Sequence, residues 1–137
     1  MRVVEIKKHG GPEVLYIGSR PVPKPKKNEV LIKVKAAGIN RPDILQREGE
    51  YPPPKGVSNI LGLEISGEVI EIGKKTKNIK IGDKVCALVS GGGYSEYCVA
   101  PYQQCLSIPK NISLEEASVI PETFFTIWFN LFIRSRI

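Results

Sequence analysis

The side chains able to do covalent, metal or anion chemistry are few in this sequence, and most are poorly spaced for it. Three cysteines, Cys86, Cys98 and Cys105, are odd in number and far apart. None forms a CxxC pair, so neither a dithiol redox motif nor a zinc knuckle is indicated, and reduced thiols are expected. The only histidine, His9, falls in a turn-like His9-Gly10-Gly11-Pro12 and reads as a surface residue. Gly91-Gly92-Gly93 lacks the G-x-G-x-x-G spacing, and no strand–turn–helix unit comes after it, so it is not a phosphate-binding turn. Lysines gather in two runs, Lys24, Lys26 and Lys27, then Lys74, Lys75 and Lys77. With a net charge of +6 such runs could attract phosphates, nucleic acid or anionic lipid. No aromatic residues alternate with them as base stacking requires, so they read as solvated turns, and neither nucleic acid nor a membrane is an expected partner.

The elements that would position any site are short. Eleven prolines and thirteen glycines are spread through 137 residues, which suggests many brief strands joined by turns. Strands are expected at Val3–Ile6, Leu15–Ile17, Glu29–Ala37, Ile60–Ile72, Ile81–Val89, Tyr94–Ala100 and Cys105–Ile108. In the clearest of them Val30, Ile32, Val34 and Ala36 share one face, with Lys33 and Lys35 on the other. Gly62 and Gly67 mark bulges or close backbone approaches. Pro21 to Pro25 forms an extended connector, because each proline removes a ladder donor.

A short helix is expected from Pro42, at its first position, to Arg47, and Gly49 to Gly56 is a loop carrying Tyr51 and three prolines. Ser113-Leu114-Glu115-Glu116 has the capping-box form, and Pro121 makes Ile120 the end or a kink of the helix it opens. The last helix, Glu122 to about Ile133, is apolar on all sides and wants a covering partner. This is a mainly β domain of seven or eight strands with short helices, best met by a small, partly open barrel. The composition, 42% hydrophobic and 25% charged, is that of a soluble globular domain. No apolar run reaches the roughly 20 residues of a membrane-spanning helix, and Glu5 within the first apolar stretch argues against a secretory signal, so a cytoplasmic location is expected.

At Asn40 the residues begin to resemble a known family. Ala36-Ala37-Gly38-Ile39-Asn40-Arg41-Pro42-Asp43 with Gly49, Tyr51 and Pro52-Pro53 is similar to the medium-chain dehydrogenase/reductase superfamily, in its zinc-free, NADPH-dependent quinone oxidoreductase branch. Ile60-Leu61-Gly62-Leu63-Glu64, Ile81-Gly82-Asp83-Lys84-Val85, Gly91-Gly92-Gly93-Tyr94-Ser95-Glu96-Tyr97 and Ile120-Pro121-Glu122-Thr123 come after it in the family's order. The resemblance implies a GroES-like fold over residues 1–121. It makes residues 122–137 the start of a helix bridging to a cofactor domain that this sequence does not include, so the Rossmann part is missing and a truncated chain is expected. It implies hydride transfer from NADPH to a quinone-like molecule or an activated alkene.

Zinc branches of the family place a cysteine where this chain has Gly38 to Asn40, and a histidine where it has Leu63. The resemblance therefore implies no metal, and Glu64 is read as a structural carboxylate. Tyr51 and Asn40 become the candidate catalytic residues, a hydroxyl donor and an amide that can donate and accept. Asn40 and Thr126 are the candidate cofactor contacts. Packing competes for Tyr51 and helix capping for Asn40, while Asp43 reads as a first-turn carboxylate favoured by the helix dipole and is not a candidate.

Three functional classes stay open: an enzyme domain inactive alone, half of a split enzyme, and a non-enzymatic binding or scaffold domain. In each, the apolar segment Phe124–Ile133 is expected to be covered, by self-association as a dimer or by folding back over the cleft near Tyr51.

Overall fold

The computed structural model describes residues 1–136 and is mainly β. Strands β1 (Arg2–Ile6) and β2 (Leu15–Ser19) form an antiparallel pair joined through a 3-10 turn at Pro12–Val14. A second, five-stranded antiparallel sheet is built from β3 (Glu29–Ala37), β4 (Glu64–Ile72), β5 (Lys84–Leu88), β6 (Tyr97–Pro101) and β7 (Cys105–Ser107). Its order is β6-β3-β4-β5-β7, so it remains open, with β6 and β7 at the edges.

Alternation puts Val30 and Ile32 of β3 into one core with Ile65, Val69, Val85, Ala87, Val89, Cys98 and Ala100, while Lys33 and Lys35 stay exposed. Leu31, on the other face of β3, is buried as well. Register shifts between Leu31 and Ile32 and between Val34 and Ala36 bend this central strand against β4. Gly67 permits that approach, since a Cβ there would collide with the Lys33 carbonyl.

Several expected boundaries move. The strand expected from Ile81 begins only at Lys84, because Ile81 and Gly82 form a turn in which Gly82 takes a φ of 90°. The segment Ile60–Leu63 is not strand, because Gly62 takes a φ of 99° and the segment's carbonyls accept from the Gly92, Gly93 and Tyr94 amides instead of a ladder. For the same reason Tyr94 does not start β6, and Ser95 forms a lone bridge to Val3. Pro42 occupies the second, not the first, position of helix α1 (Arg41–Glu48).

A single turn, α2 (Leu114–Ala117), is closed by the expected capping box, with the Glu116 amide donating to Ser113 Oγ and the Glu116 carboxylate accepting from the Ser113 amide. The Ser66 hydroxyl donates to the Leu114 carbonyl and ties this turn to β4. Helix α3 begins at Pro121 and runs to Trp128, then widens into a π-helical segment over Phe129–Arg134. The Ser135 amide donates to the Asn130 carbonyl and the Asn130 side chain to the Thr126 carbonyl, the first of them at the wider spacing of such a turn.

Candidate functional site

Asn40 sits at the end of the turn leaving β3, in extended conformation at the N-cap of α1. Its backbone amide donates to Asp43 Oδ2 at 2.9 Å, which is the carboxylate half of a capping box. Its side-chain nitrogen donates to Glu64 Oε1 at 2.8 Å. Glu64 opens β4 and is 2% exposed; its other oxygen accepts from the Glu122 amide, in the first turn of α3, at 2.9 Å. One buried carboxylate thus joins the turn after β3 to the start of α3. A carboxylate only accepts, so Glu64 fixes which face of the Asn40 amide carries the nitrogen.

Asp43 does more than complement a helix dipole. It is 3% exposed, and beyond the Asn40 amide it accepts from the Gly62 amide at 3.0 Å and the Tyr94 hydroxyl at 3.0 Å. The positive φ of Gly62 turns its N–H toward that carboxylate, and a side chain there would strike Gly93 and Tyr94. Burial and the charges of Asp43 and Glu64 push the Tyr94 hydroxyl well above the usual phenol range, so it stays a donor. Burial, then Glu64 and Asp43, raises the Glu122 carboxyl. Burial likewise pushes the Cys98 and Cys105 thiols up to about 12, which leaves them protonated and poor nucleophiles.

Tyr51 lies on the proline loop, 44% exposed. With Pro42, Pro53, Leu63, Leu88, Val89 and Glu122 it lines a cavity of about 230 Å³. Leu63 is therefore an apolar wall at the position where a zinc branch would carry its histidine. Among the described residues no three His, Cys, Asp or Glu side chains gather as a metal site.

Asn40 and Tyr51 are connected through Glu64 and Glu122, but the three candidate residues do not converge on one cavity. Asn40 reaches Glu122 through Glu64, and Glu122 shares the Tyr51 cavity. Thr126 stands one turn further along α3, exposed, and neither it nor Asn40 lines that cavity. No residue of Phe124–Ile133 lines it either, so the segment does not fold back over the cleft: Phe124, Trp128, Phe129 and Phe132 remain about half exposed or more. Sequence reasoning alone misses Tyr94 and Glu122 and leaves Asp43 out. The Asn40-x-x-Asp43 spacing already marks a cap, but only the folded chain brings Gly62 and Tyr94 to the same carboxylate.

The alcohol dehydrogenase GroES-like domain family matches residues 26–110. A mouse synaptic vesicle membrane protein VAT-1 homolog-like is 33% identical over 132 residues, 96% of this chain and 32% of that protein. Quinone oxidoreductase 1 of Escherichia coli K12 is 37% identical over 129 residues, 93% of this chain and 39% of that protein. Among solved structures, the human VAT-1 homolog-like protein superposes with a TM-score of 0.90 at 33% identity, covering all of this chain and 44% of its own. The Escherichia coli quinone oxidoreductase complexed with NADPH gives 0.86 at 34% identity, covering 98% and 41%. This chain thus spans well under half the length of the relatives it matches. It belongs to the alcohol dehydrogenase GroES-like domain family, as the N-terminal domain of a quinone oxidoreductase-like medium-chain dehydrogenase/reductase.

Proposed function

We propose that this domain is the substrate side of an NADPH-dependent, zinc-free reductase of quinones or activated alkenes. The observation that carries the reading is the Tyr51 cavity, where an apolar wall of Pro42, Pro53, Leu63, Leu88 and Val89 faces polar groups from Gln46, Ser90 and Gln104, with the Tyr51 hydroxyl and the Glu122 carboxyl beside them. A flat, apolar acceptor with a carbonyl suits such a lining. Tyr51 donates to the carbonyl oxygen on which negative charge grows. Leu63, Leu88 and Val89 exclude water from the ring. Asn40, fixed from both sides by Asp43 and Glu64, holds a carboxamide or carbonyl in one orientation.

The donors present fit the nicotinamide end of the cofactor, through Asn40 and the exposed Thr126, while its pyrophosphate needs a glycine-rich turn that residues 1–137 do not contain. When bound, NADPH supplies the hydride. Residues 122–137 then bridge to the domain that holds the rest of it.

Calorimetric titration of the chain with NADPH is expected to show no binding, and the chain alone no quinone turnover, because catalysis here is mostly positioning. Joined to the cofactor domain of a relative, it is expected to reduce quinones. There Tyr51→Phe raises the barrier by about 2–4 kcal/mol with folding unchanged. Unaltered kinetics would return Tyr51 to a packing role.

A second reading is favoured by the exposed aromatics of α3 and the turn after it. In it a second copy of this chain covers Phe124, Trp128, Phe129 and Phe132, and the domain serves as a dimeric scaffold. Sedimentation as a monomer at all concentrations would exclude it.

A further inference from the structure

The two lysine runs, separated by 46 residues between Lys27 and Lys74, are one surface in the folded chain. The Lys75 amide donates to the Lys27 carbonyl at 2.8 Å, and the Gly73 amide to the Glu29 carbonyl at 2.8 Å. Gly73 lies so close that a Cβ would collide with the Lys26 and Lys27 carbonyls. The Thr76 hydroxyl adds a bond to the Glu29 carbonyl at 3.3 Å. Lys24, Lys26, Lys27, Lys74, Lys75 and Lys77 are all exposed there. The carboxylates of these two segments are Glu29, whose pairing with Lys26 is a loose 4.0 Å, and Glu71. Four of the chain's six excess positive charges therefore sit at this one end of the sheet. A third loop packs beside them through the Tyr102 amide and the Asn28 carbonyl, and Tyr102-Gln103-Gln104 brings no carboxylate.

We propose that this joined lysine surface docks the protein on an anionic phospholipid headgroup surface. The residues are lysines alone, point charges on flexible stems without the planar fork that reads fixed phosphate geometry. The two runs also contain no aromatic residue on which a base could stack. Mobile lipid headgroups can gather beneath such charges, and clusters of four to eight basic residues are the sequence-readable form of that contact. The backbone bonds between the loops hold the two lysine runs side by side at one end of the sheet.

The test is co-sedimentation of the chain with phosphatidylcholine vesicles containing about 30% phosphatidylserine, against phosphatidylcholine alone. Binding to the anionic vesicles only, lost as salt shortens the screening length, is expected. The triple variant Lys74→Gln, Lys75→Gln, Lys77→Gln is expected to lower partitioning about a hundredfold, roughly fivefold per charge. Lys7→Gln, Lys8→Gln, Lys110→Gln, which removes the same net charge elsewhere, is expected to lower it less than about tenfold, with circular dichroism checking that both variants fold. Equal losses in the two triples would overturn the proposal in favour of net charge alone. Binding that survives high salt would overturn it in favour of the aromatic surface of α3, and equally tight binding of a DNA duplex in favour of nucleic acid.

Discussion

The two ends of α3 meet opposite surroundings. At its start Pro121 is buried and the Glu122 amide is held by Glu64, itself fixed by Asn40. Seven residues later Trp128 is 58% exposed, and its ring lies tilted against Phe132, at 4.7 Å between ring centroids. The first turn is set by polar groups with nowhere else to bond; the later turns by apolar side chains with nothing yet to bury them. Removing a buried acceptor strands its donors at full desolvation cost, whereas trimming an exposed ring forfeits little in the monomer. The polar end should therefore govern stability and the apolar end association.

Removing Glu64 gives the largest expected effect. Glu64→Ala leaves the Asn40 side chain and the Glu122 amide without an acceptor, and should cost about 3–5 kcal/mol by urea unfolding. Glu64→Gln keeps one acceptor oxygen and should cost about half as much. Equal costs for the two would mean that volume, not hydrogen bonding, is what Glu64 supplies. Gly38→Ala should come next at about 1–3 kcal/mol, since the new Cβ strikes the Glu64 side chain where it cannot withdraw.

At the other end, Phe125→Ser with Phe129→Ser should convert any dimer to monomer in sedimentation, while Phe129→Ser alone changes monomer stability by under about 1 kcal/mol. A large stability loss from Phe129→Ser would show that the exposed face is packed after all.

The smallest effect concerns Glu122. Burial and the neighbouring carboxylates raise its carboxyl in the folded chain, against the helix-dipole preference for charge in a first turn. A folded value above the unfolded one means the folded state holds the proton longer. This contribution is therefore present below the unfolded value and is lost as pH rises through the folded one. Glu122→Gln should flatten that fall and stabilise the chain at neutral pH by under about 1 kcal/mol, because the group is partly solvated. A stability–pH curve unchanged by the substitution would remove Glu122 from the carboxylate network.

Local chemistry made much of the molecule legible in sequence. The alternation of Val30 to Ala36, the collision points at Gly62 and Gly67, the Ser113 capping box and the collinear family motifs all depend on neighbours or short spacings. The fold class came from these, as did the exposed positions of His9 and the lysines. What required the folded chain was anything set by partners remote in sequence. Asp43 reads as an ordinary first-turn carboxylate until Gly62 and Tyr94 arrive at it. The two lysine runs read as separate turns until β3 and β4 bring them together, and Ile60–Leu63 reads as strand until the Gly92–Tyr94 loop takes its carbonyls. The reason is the same each time. A hydrogen-bonding group or a charge accepts whatever partner the topology delivers, and periodicity records which face a residue occupies but not who stands opposite it.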